Sequence, residues 1–301
     1  MKPVIQCAIN FSEGRNSKIV KSIVDAAQSV PEAVVADYSA DADHNRMVLT
    51  ILGGPKPIQN AVLAAARTAV ELIDLASHKG GHPRIGAVDV VPLVPVQGIT
   101  MQECVATALN LAQNVAETLS LPVYLYENAA LSNKHKQLPN LRRGGFERLM
   151  AEGLTGDMAP DLGPHRVHPT AGAVVIGARG PLVAYNVNLD SADYHAAHEI
   201  AKEIRSGRAG IEGVRTIAVS LASQKKVQVS MNIISPETAP VPQVYNVVKT
   251  EAAKRGIGGA ESEVIGLVSE RFLCGATAKD INAPGLKETQ ILEYWLRTAF
   301  R

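Results

Sequence analysis

The tightest constraint on this chain is the order in which its apolar patterns follow one another. Residues 3–10, Ala33–Tyr38, Arg46–Leu52 and Val88–Val96 read as strands, and helical spacing over Asn16–Gln28 and Pro57–Leu75 falls between them. In the first helix Ile19, Val20, Ile23, Val24 and Ala27 share a face, and Gly53-Gly54-Pro55 stops the strand before the second. The resulting order is β-α-β-β-α-β. A helix over Thr100–Leu119, opened by Thr100 with Glu103 as a capping box, and a strand over Leu121–Tyr126 extend it.

The same order returns from Leu182. Leu182–Leu189 reads as a strand, and Asp190 or Ser191 caps a helix to Arg205 that Gly207 and Gly210 end. Strands over Val214–Ala222 and Lys226–Ile234 flank Ser223-Gln224-Lys225. A helix over Pro240–Arg255 closes at Gly256, a strand covers Glu263–Val268, and helices finish the chain through Leu286–Phe300. No sequence repeat accompanies this repeat of pattern. The fold class is therefore α/β (α+β), with two βαββαβ-type subdomains over residues 1–178 and 179–301. A groove between two such units is a common place for a ligand. Ala173–Ala178 is expected to form a hairpin with Leu182–Leu189 around Arg179-Gly180-Pro181. Residues 127–171 are irregular, apart from a helical piece near Leu138–Met150.

With aromatics at only 4%, the core must be built from Ala, Val, Ile and Leu. A net charge of +1 offers no general attraction for nucleic acid or membranes. No apolar run reaches the roughly 18 residues of a membrane span, and the start reads directly into a strand, with no signal peptide. Cys7, Cys104 and Cys274 are too few and too scattered for a disulfide framework. They read as small hydrophobes in a reducing cytoplasm.

The chemistry concentrates in His78-Lys79-Gly80-Gly81-His82-Pro83-Arg84-Ile85-Gly86-Ala87-Val88-Asp89, a connection between an apolar helix and an apolar strand. The alternative is a solvated polar turn. His78 and His82 are four apart, but Gly80, Gly81 and Pro83 break any helix through them, and no third metal ligand stands at typical spacing. A neutral imidazole suits general-base work, and Arg84 has the fork for a carboxylate. Asn10-Phe11-Ser12-Glu13-Gly14 ends the first strand, either as an ordinary turn or as a ligand-facing one. Asp37, Asp41, Asp43, His44, Asn45 and Arg46 form either a polar hairpin or the far wall of the same site. Tyr124 and Tyr126, with Glu127 and Asn128, are either half core or ligand contacts. Asp161–Gly172 carries His165, Arg166 and His168 among turn formers and reads as an ordered binding loop. His195 and His198 read as surface residues. There is no Walker A loop and no GxSxG elbow, and Gly256-Ile257-Gly258-Gly259 follows a helix, the wrong context for a dinucleotide fingerprint.

At these residues the chain resembles the formiminotransferase domain family. The resemblance runs through Cys7–Gly14, Asn45-Arg46, Ala66–Ala69, Leu72–Asp74, His78-Lys79-Gly80 with His82–Ala87, Pro122–Tyr126, Gly163-Pro164, Gly177–Arg179 and Gln228–Asn232. It implies two subdomains whose sheets face each other across a groove. It also implies transfer of the formimino group of N-formimino-L-glutamate to the 5-nitrogen of tetrahydrofolate, a step of histidine breakdown. The family's catalytic histidine matches His82. Its folate segment matches Gly163, Pro164, His165, Arg166, Val167, His168, Pro169, Thr170, Ala171 and Gly172. Asn10, Asn45, Arg46, His78, Lys79, Arg84 and Tyr126 are the candidates for binding the formimino donor.

Tetrahydrofolate would be a co-substrate, with no metal. The enzyme would be a cytoplasmic homodimer, with a separate cyclodeaminase as partner because the chain stops at Arg301. Family members often carry Glu where Gly81 stands, and some carry Asp at Ser39 and Trp at Ala171. A formyltransferase using N-formylglutamate, a non-catalytic folate-binding protein and a zinc hydrolase on His78 and His82 are the competing readings.

Overall fold

The computed structural model describes residues 2–81, 83–206 and 209–301, so His82, the expected catalytic base, and Gly207, an expected helix stop, lie outside the described residues. The chain divides into two compact units, Met1–Arg179 with Phe300–Arg301, and Gly180–Ala299. Both are α+β units that follow the expected βαββαβ order.

The first unit runs β1 (Val4–Phe11), α1 (Ser17–Gln28), β2 (Ala33–Asp41), β3 (Arg46–Gly53), α2 (Pro55–Leu72), β4 (Val88–Gln97), α3 (Met101–Leu119), β5 (Val123–Glu127), α4 (Leu138–Leu141), α5 (Gly145–Glu152) and β6 (Val174–Ala178). Its six strands lie in the order β2-β3-β1-β4-β6-β5. Strand β1 is antiparallel to β3 and β4, whereas β4, β6 and β5 are parallel. Alternation places Cys7, Ile9 and Phe11 of β1 in the core, together with Ile23 of α1, Ala65 of α2 and Leu111 of α3. Asn16 caps α1 by accepting from the Lys18 and Ile19 amides, and the Thr100–Glu103 capping box opens α3 as expected. Helix α2 starts at Pro55 rather than Pro57. A proline in the first turn loses no intrahelical bond, so both prolines fit there.

The second unit runs β7 (Val183–Leu189), α6 (Tyr194–Ser206), β8 (Val214–Leu221), β9 (Lys226–Ile233), α7 (Val241–Ala253), β10 (Glu261–Ile265), α8 (Glu270–Leu273) and α9 (Leu292–Thr298). Its sheet order, β10-β7-β9-β8, repeats the β4-β1-β3-β2 order inside the first sheet. Val183, Tyr185, Val187 and Leu189 point into a core shared with Ile200 of α6 and Val244 of α7.

Three expectations change. Strands β6 and β7 do not form a hairpin: β6 pairs with β4 and β5, β7 with β9 and β10, and Arg179-Gly180-Pro181 crosses from one unit to the other. Periodicity marks two strands and a turn but not the partner each strand takes. Helix α6 is opened by Asp193, whose carboxylate accepts from the Ala196 amide, rather than by Asp190 or Ser191. The final helix is broken into a 3-10 turn (Glu288–Gln290) and α9. The break comes at Ile291, which is extended, directly after Gln290, whose Nε2 donates to the carbonyls of Val264 and Gly266 and draws that turn into the core.

The excursion between β5 and β6 is pinned to the sheet by a buried pair. His135 Nδ1 lies 2.8 Å from Asp161 Oδ2, and the same carboxylate oxygen accepts from the Leu125 amide of β5 at 2.8 Å. His135 Nε2 contacts the Asp157 carbonyl at 3.0 Å, and the ring stands edge-on to Tyr124. The bond to Asp161 raises the His135 pKa. The stabilisation from this shift is therefore fully present below the ordinary histidine value of about 6.5 and fades as pH rises through the folded value. Removing one member of such a buried pair costs roughly 3–5 kcal/mol. His135→Ala should lower stability by about that amount, and Asp161→Asn should abolish the extra stability at pH 6 relative to pH 8. Urea unfolding at the two pH values measures both.

Candidate active site

The carboxyl end of β1, the amino end of β4 and the start of β3 meet at one end of the first sheet. Asn10, Ser12, Arg46, His78, Arg84 and Asp89 line a small cavity there, about 10 Å³ of it open to the centre of a water molecule. That is room for about one water.

Asp89 organises its floor. It is 3% exposed, its Oδ1 accepts from the Ile85 amide at 2.9 Å, and its Oδ2 takes the Arg142 guanidinium. Arg46 donates to Asn10 Oδ1. Burial, with Arg142 nearby, pulls the Arg46 pKa down to about 9, while Asp89 works the other way, so Arg46 stays charged at neutral pH. The floor thus holds two guanidiniums and one carboxylate.

His78 is locked in one tautomer. Arg84 Nε, which can only donate, points at His78 Nδ1 at 2.8 Å, so the ring hydrogen sits on Nε2 and is given to the Asn45 carbonyl at 3.0 Å. Burial is the main cause of a lowered pKa, and the ring is neutral. With both nitrogens engaged, His78 has no lone pair for a metal or a substrate. Arg84 also donates to the His78 carbonyl at 3.0 Å and forks onto Glu147 at 2.8 and 3.2 Å, which holds the Glu147 carboxyl below its usual range. The guanidinium expected to grip a substrate carboxylate instead clamps Glu147 and His78.

Asn45 ties the wall together. Its Oδ1 accepts from the Gly14 amide and its Nδ2 donates to the Lys79 carbonyl, each at 3.0 Å, so the amide expected to orient a ligand is used on the protein. Its φ of +49° is the left-handed conformation that Asn tolerates better than most residues. Lys79 itself is exposed beside this wall. Of the two readings of Tyr126, the structure has the core one. It is 2% exposed, burial raises its pKa, and it pairs with Gly177 in the core rather than at a ligand surface.

The segment 163–172 runs directly against this loop. The Ala87 amide donates to the Ala171 carbonyl and the Ala173 amide to the Ile85 carbonyl, each at 2.9 Å, and the Leu75 amide donates to the Thr170 carbonyl at 2.8 Å. Gly86 and Gly172 form an isolated bridge. A Cβ on Gly86 would overlap the Ala173 carbonyl oxygen, and one on Gly172, where φ is +69°, would overlap that of Ile85. His168 Nδ1 accepts from the Ala171 amide at 3.0 Å and tightens the turn. Gly163, His165, Arg166 and Pro169 are exposed, Pro164, His168 and Thr170 are half-buried, and Val167, Ala171 and Gly172 are buried. The last three anchor the segment and cannot present side chains to a ligand. At Gly81 a Cβ would meet only the Asp43 carbonyl oxygen, at an ordinary contact distance of 3.9 Å, so the backbone leaves room for a side chain to start there. Among the described residues, no three His, Cys, Asp or Glu side chains converge as a metal site.

Arg142 and Glu147 were missed from the sequence. The one available signal was the Arg142-Arg143-Gly144-Gly145 run, basic residues beside glycines in an irregular stretch.

Family models fit this architecture in the same two parts. The N-terminal subdomain of the formiminotransferase domain matches residues 4–179, and the formiminotransferase domain matches residues 184–286. The chain belongs to the formiminotransferase domain family. It is 41% identical over 273 residues to a glutamate formimidoyltransferase of Streptococcus pyogenes, covering 91% of each chain. It is 38% identical over 292 residues to one of Thermoplasma acidophilum, covering 96% of each. A formimidoyltransferase-cyclodeaminase of Rattus norvegicus is 38% identical over 284 residues, which cover 92% of this chain and 52% of that one.

Asn45→Ala removes two hydrogen bonds and places alanine at positive φ, so it should cost about 2–4 kcal/mol in urea unfolding. Asn45→Gly should recover the backbone part of that loss and leave the rest.

Proposed function

We propose that this chain, a transferase of the formiminotransferase family, moves the formimino group of N-formimino-L-glutamate to the 5-nitrogen of tetrahydrofolate. The observation that carries the reading is the direct backbone pairing of residues 85–87 with residues 171–173. It supports a donor-activating loop and a folate-binding segment acting as one rigid site in the first unit.

In this reading His82 is the base. Nitrogen 5 of the pterin attacks the formimino carbon and loses its proton to the His82 imidazole. The tetrahedral intermediate then breaks its bond to the glutamate nitrogen, which takes that proton as it leaves. The products are 5-formimino-tetrahydrofolate and glutamate. His78, held neutral between Arg84 and Asn45, positions the start of the loop that ends in His82. Lys79 and the Arg46–Asp89–Arg142 floor supply positive potential for the donor's carboxylates. Exposed His165 and Arg166 carry the charged or titratable side chains of the folate segment most open to the co-substrate. Holding both substrates together removes much of the entropic barrier to a bimolecular reaction. The same proposal takes the protein to be a cytoplasmic homodimer in histidine breakdown, using no metal, whose product passes to a cyclodeaminase.

Spectroscopic detection of 5-formimino-tetrahydrofolate, with formiminoglutamate and N-formylglutamate compared as donors, tests the reaction. Product from the first donor is expected, and product from N-formylglutamate alone would replace this reading with a formyltransferase. His82→Ala should lower turnover by roughly 100- to 10,000-fold, the reach of one general base. A folded His82→Ala enzyme with near-normal rates would remove His82 from the mechanism.

A further inference from the structure

The loop between α2 and β4 is closed on itself by Arg84. Its guanidinium reaches back along the chain, giving Nε to the His78 ring at 2.8 Å and Nη2 to the His78 carbonyl at 3.0 Å. In sequence, residues 79–83, with His82 among them, lie between the two ends of this clasp.

A distant part of the chain holds the clasp from outside. The Phe146 amide of α5 donates to the Arg84 carbonyl at 2.9 Å. The Glu147 carboxylate accepts from Arg84 Nη2 at 2.8 Å and from Nη1 at 3.2 Å. Just before α5, Arg142 donates to Asp89. Gly145, at a φ of +66°, lets the start of α5 come this close, for a Cβ there would stand 3.2 Å from the Arg84 carbonyl oxygen. The segment 142–147 thus grips the loop at its backbone, at the Arg84 side chain and at Asp89.

Glu147 differs from the other members of this grip. Its side chain is 64% exposed against 12% for Arg84, and an ion pair with one partner in solvent adds little to stability. Its effect is on geometry. Two parallel bonds to one carboxylate fix the plane of the guanidinium. With Nη1 and Nη2 committed to Glu147, Nε points at His78 Nδ1, and His78 keeps its hydrogen on Nε2 for the Asn45 carbonyl. Without the fork, Arg84 regains its rotamers, His78 Nδ1 loses its donor, and the ring is free to take either tautomer.

We infer that Glu147 is a positioning residue of the transfer reaction: through Arg84 it keeps the clasp on His78 shut and so holds the loop that carries His82 in its working geometry. The inference rests on the reaction proposed above, with His82 as its base. Glu147 touches neither substrate and acts only through Arg84. Its hold also keeps the Arg84 guanidinium off the carboxylates of the donor, whose binding falls to other groups.

Steady-state kinetics with the full-length protein, formiminoglutamate and tetrahydrofolate test it, together with NMR of the histidine ring nitrogens, in which His78→Gln identifies the His78 signals. Glu147→Ala should lower kcat roughly 10- to 100-fold, as a misplaced reacting group does, and leave both KM values within about twofold. Glu147→Gln keeps one acceptor for the guanidinium and should lose less. In both variants the His78 ring should show a mixture of tautomers, where the wild type shows the Nε2–H form alone. Glu152→Gln, which removes the exposed Arg148–Glu152 pair of the same helix, should match the wild type in both measurements. Wild-type kcat in folded Glu147→Ala overturns the inference. A fall in kcat with the His78 tautomer unchanged, or an equal fall in Glu152→Gln, overturns it in favour of a merely structural role for α5. A raised KM for formiminoglutamate with kcat retained overturns it in favour of Arg84 binding the donor. Variants equal to an active wild type overturn this inference alone, whereas a wild type that forms no 5-formimino-tetrahydrofolate overturns the proposed function and this inference with it.

Discussion

The candidate site depends on one short backbone ladder. Residues 85–87 and 171–173 exchange hydrogen bonds across the end of the first sheet, and Gly86 and Gly172 allow the two chains to come that close. The ladder joins two connections far apart in sequence. Because its bonds are backbone bonds beside β4 and β6, the loop inherits the rigidity of the sheet. Asp89, the second residue of β4, then reaches back to the Ile85 amide and across to Arg142. A loop rich in glycine is thereby held at both ends.

Around that ladder, side chains expected to act on a ligand prove to act on the protein. Arg84, His78, Asn45 and Asp89 spend their donors and acceptors on each other and on the backbone. In the proposed mechanism this preorganises the loop: a side chain that positions the proposed base has to be locked itself. The density of titratable groups from His78 to Asp89 therefore has two uses. Some residues remain available for chemistry, and the others hold the loop.

The two units use the same strand order for different ends. In the first, the functional groups collect at the edge of the sheet, where strands end and loops begin. In the second, the polar groups stand on the sheet face itself, on β7, β9 and β10. The alternation of buried and half-buried residues in β7 already separates the two faces of that sheet.

Local rules made much of this legible. Alternation in Val4–Phe11, the helical face of Ile19, Val20 and Ile23, and the Thr100–Glu103 box depend on neighbours within a few residues, and each element forms where its pattern stands. The crowding of His78–Asp89 and of Asp161–Gly172 was equally visible. What the sequence could not contain was the choice of partner. Whether β6 turns back onto β7 or joins β4, whether Arg84 meets a substrate or Glu147, and whether Tyr126 faces a ligand or Gly177 all depend on contacts between residues distant in the chain. Sequence determined the elements and where the reactive groups lie along them. Tertiary structure alone decided which of those groups are spent in holding the site and which are left for chemistry, because a hydrogen-bond donor serves whatever packing brings within 3 Å of it.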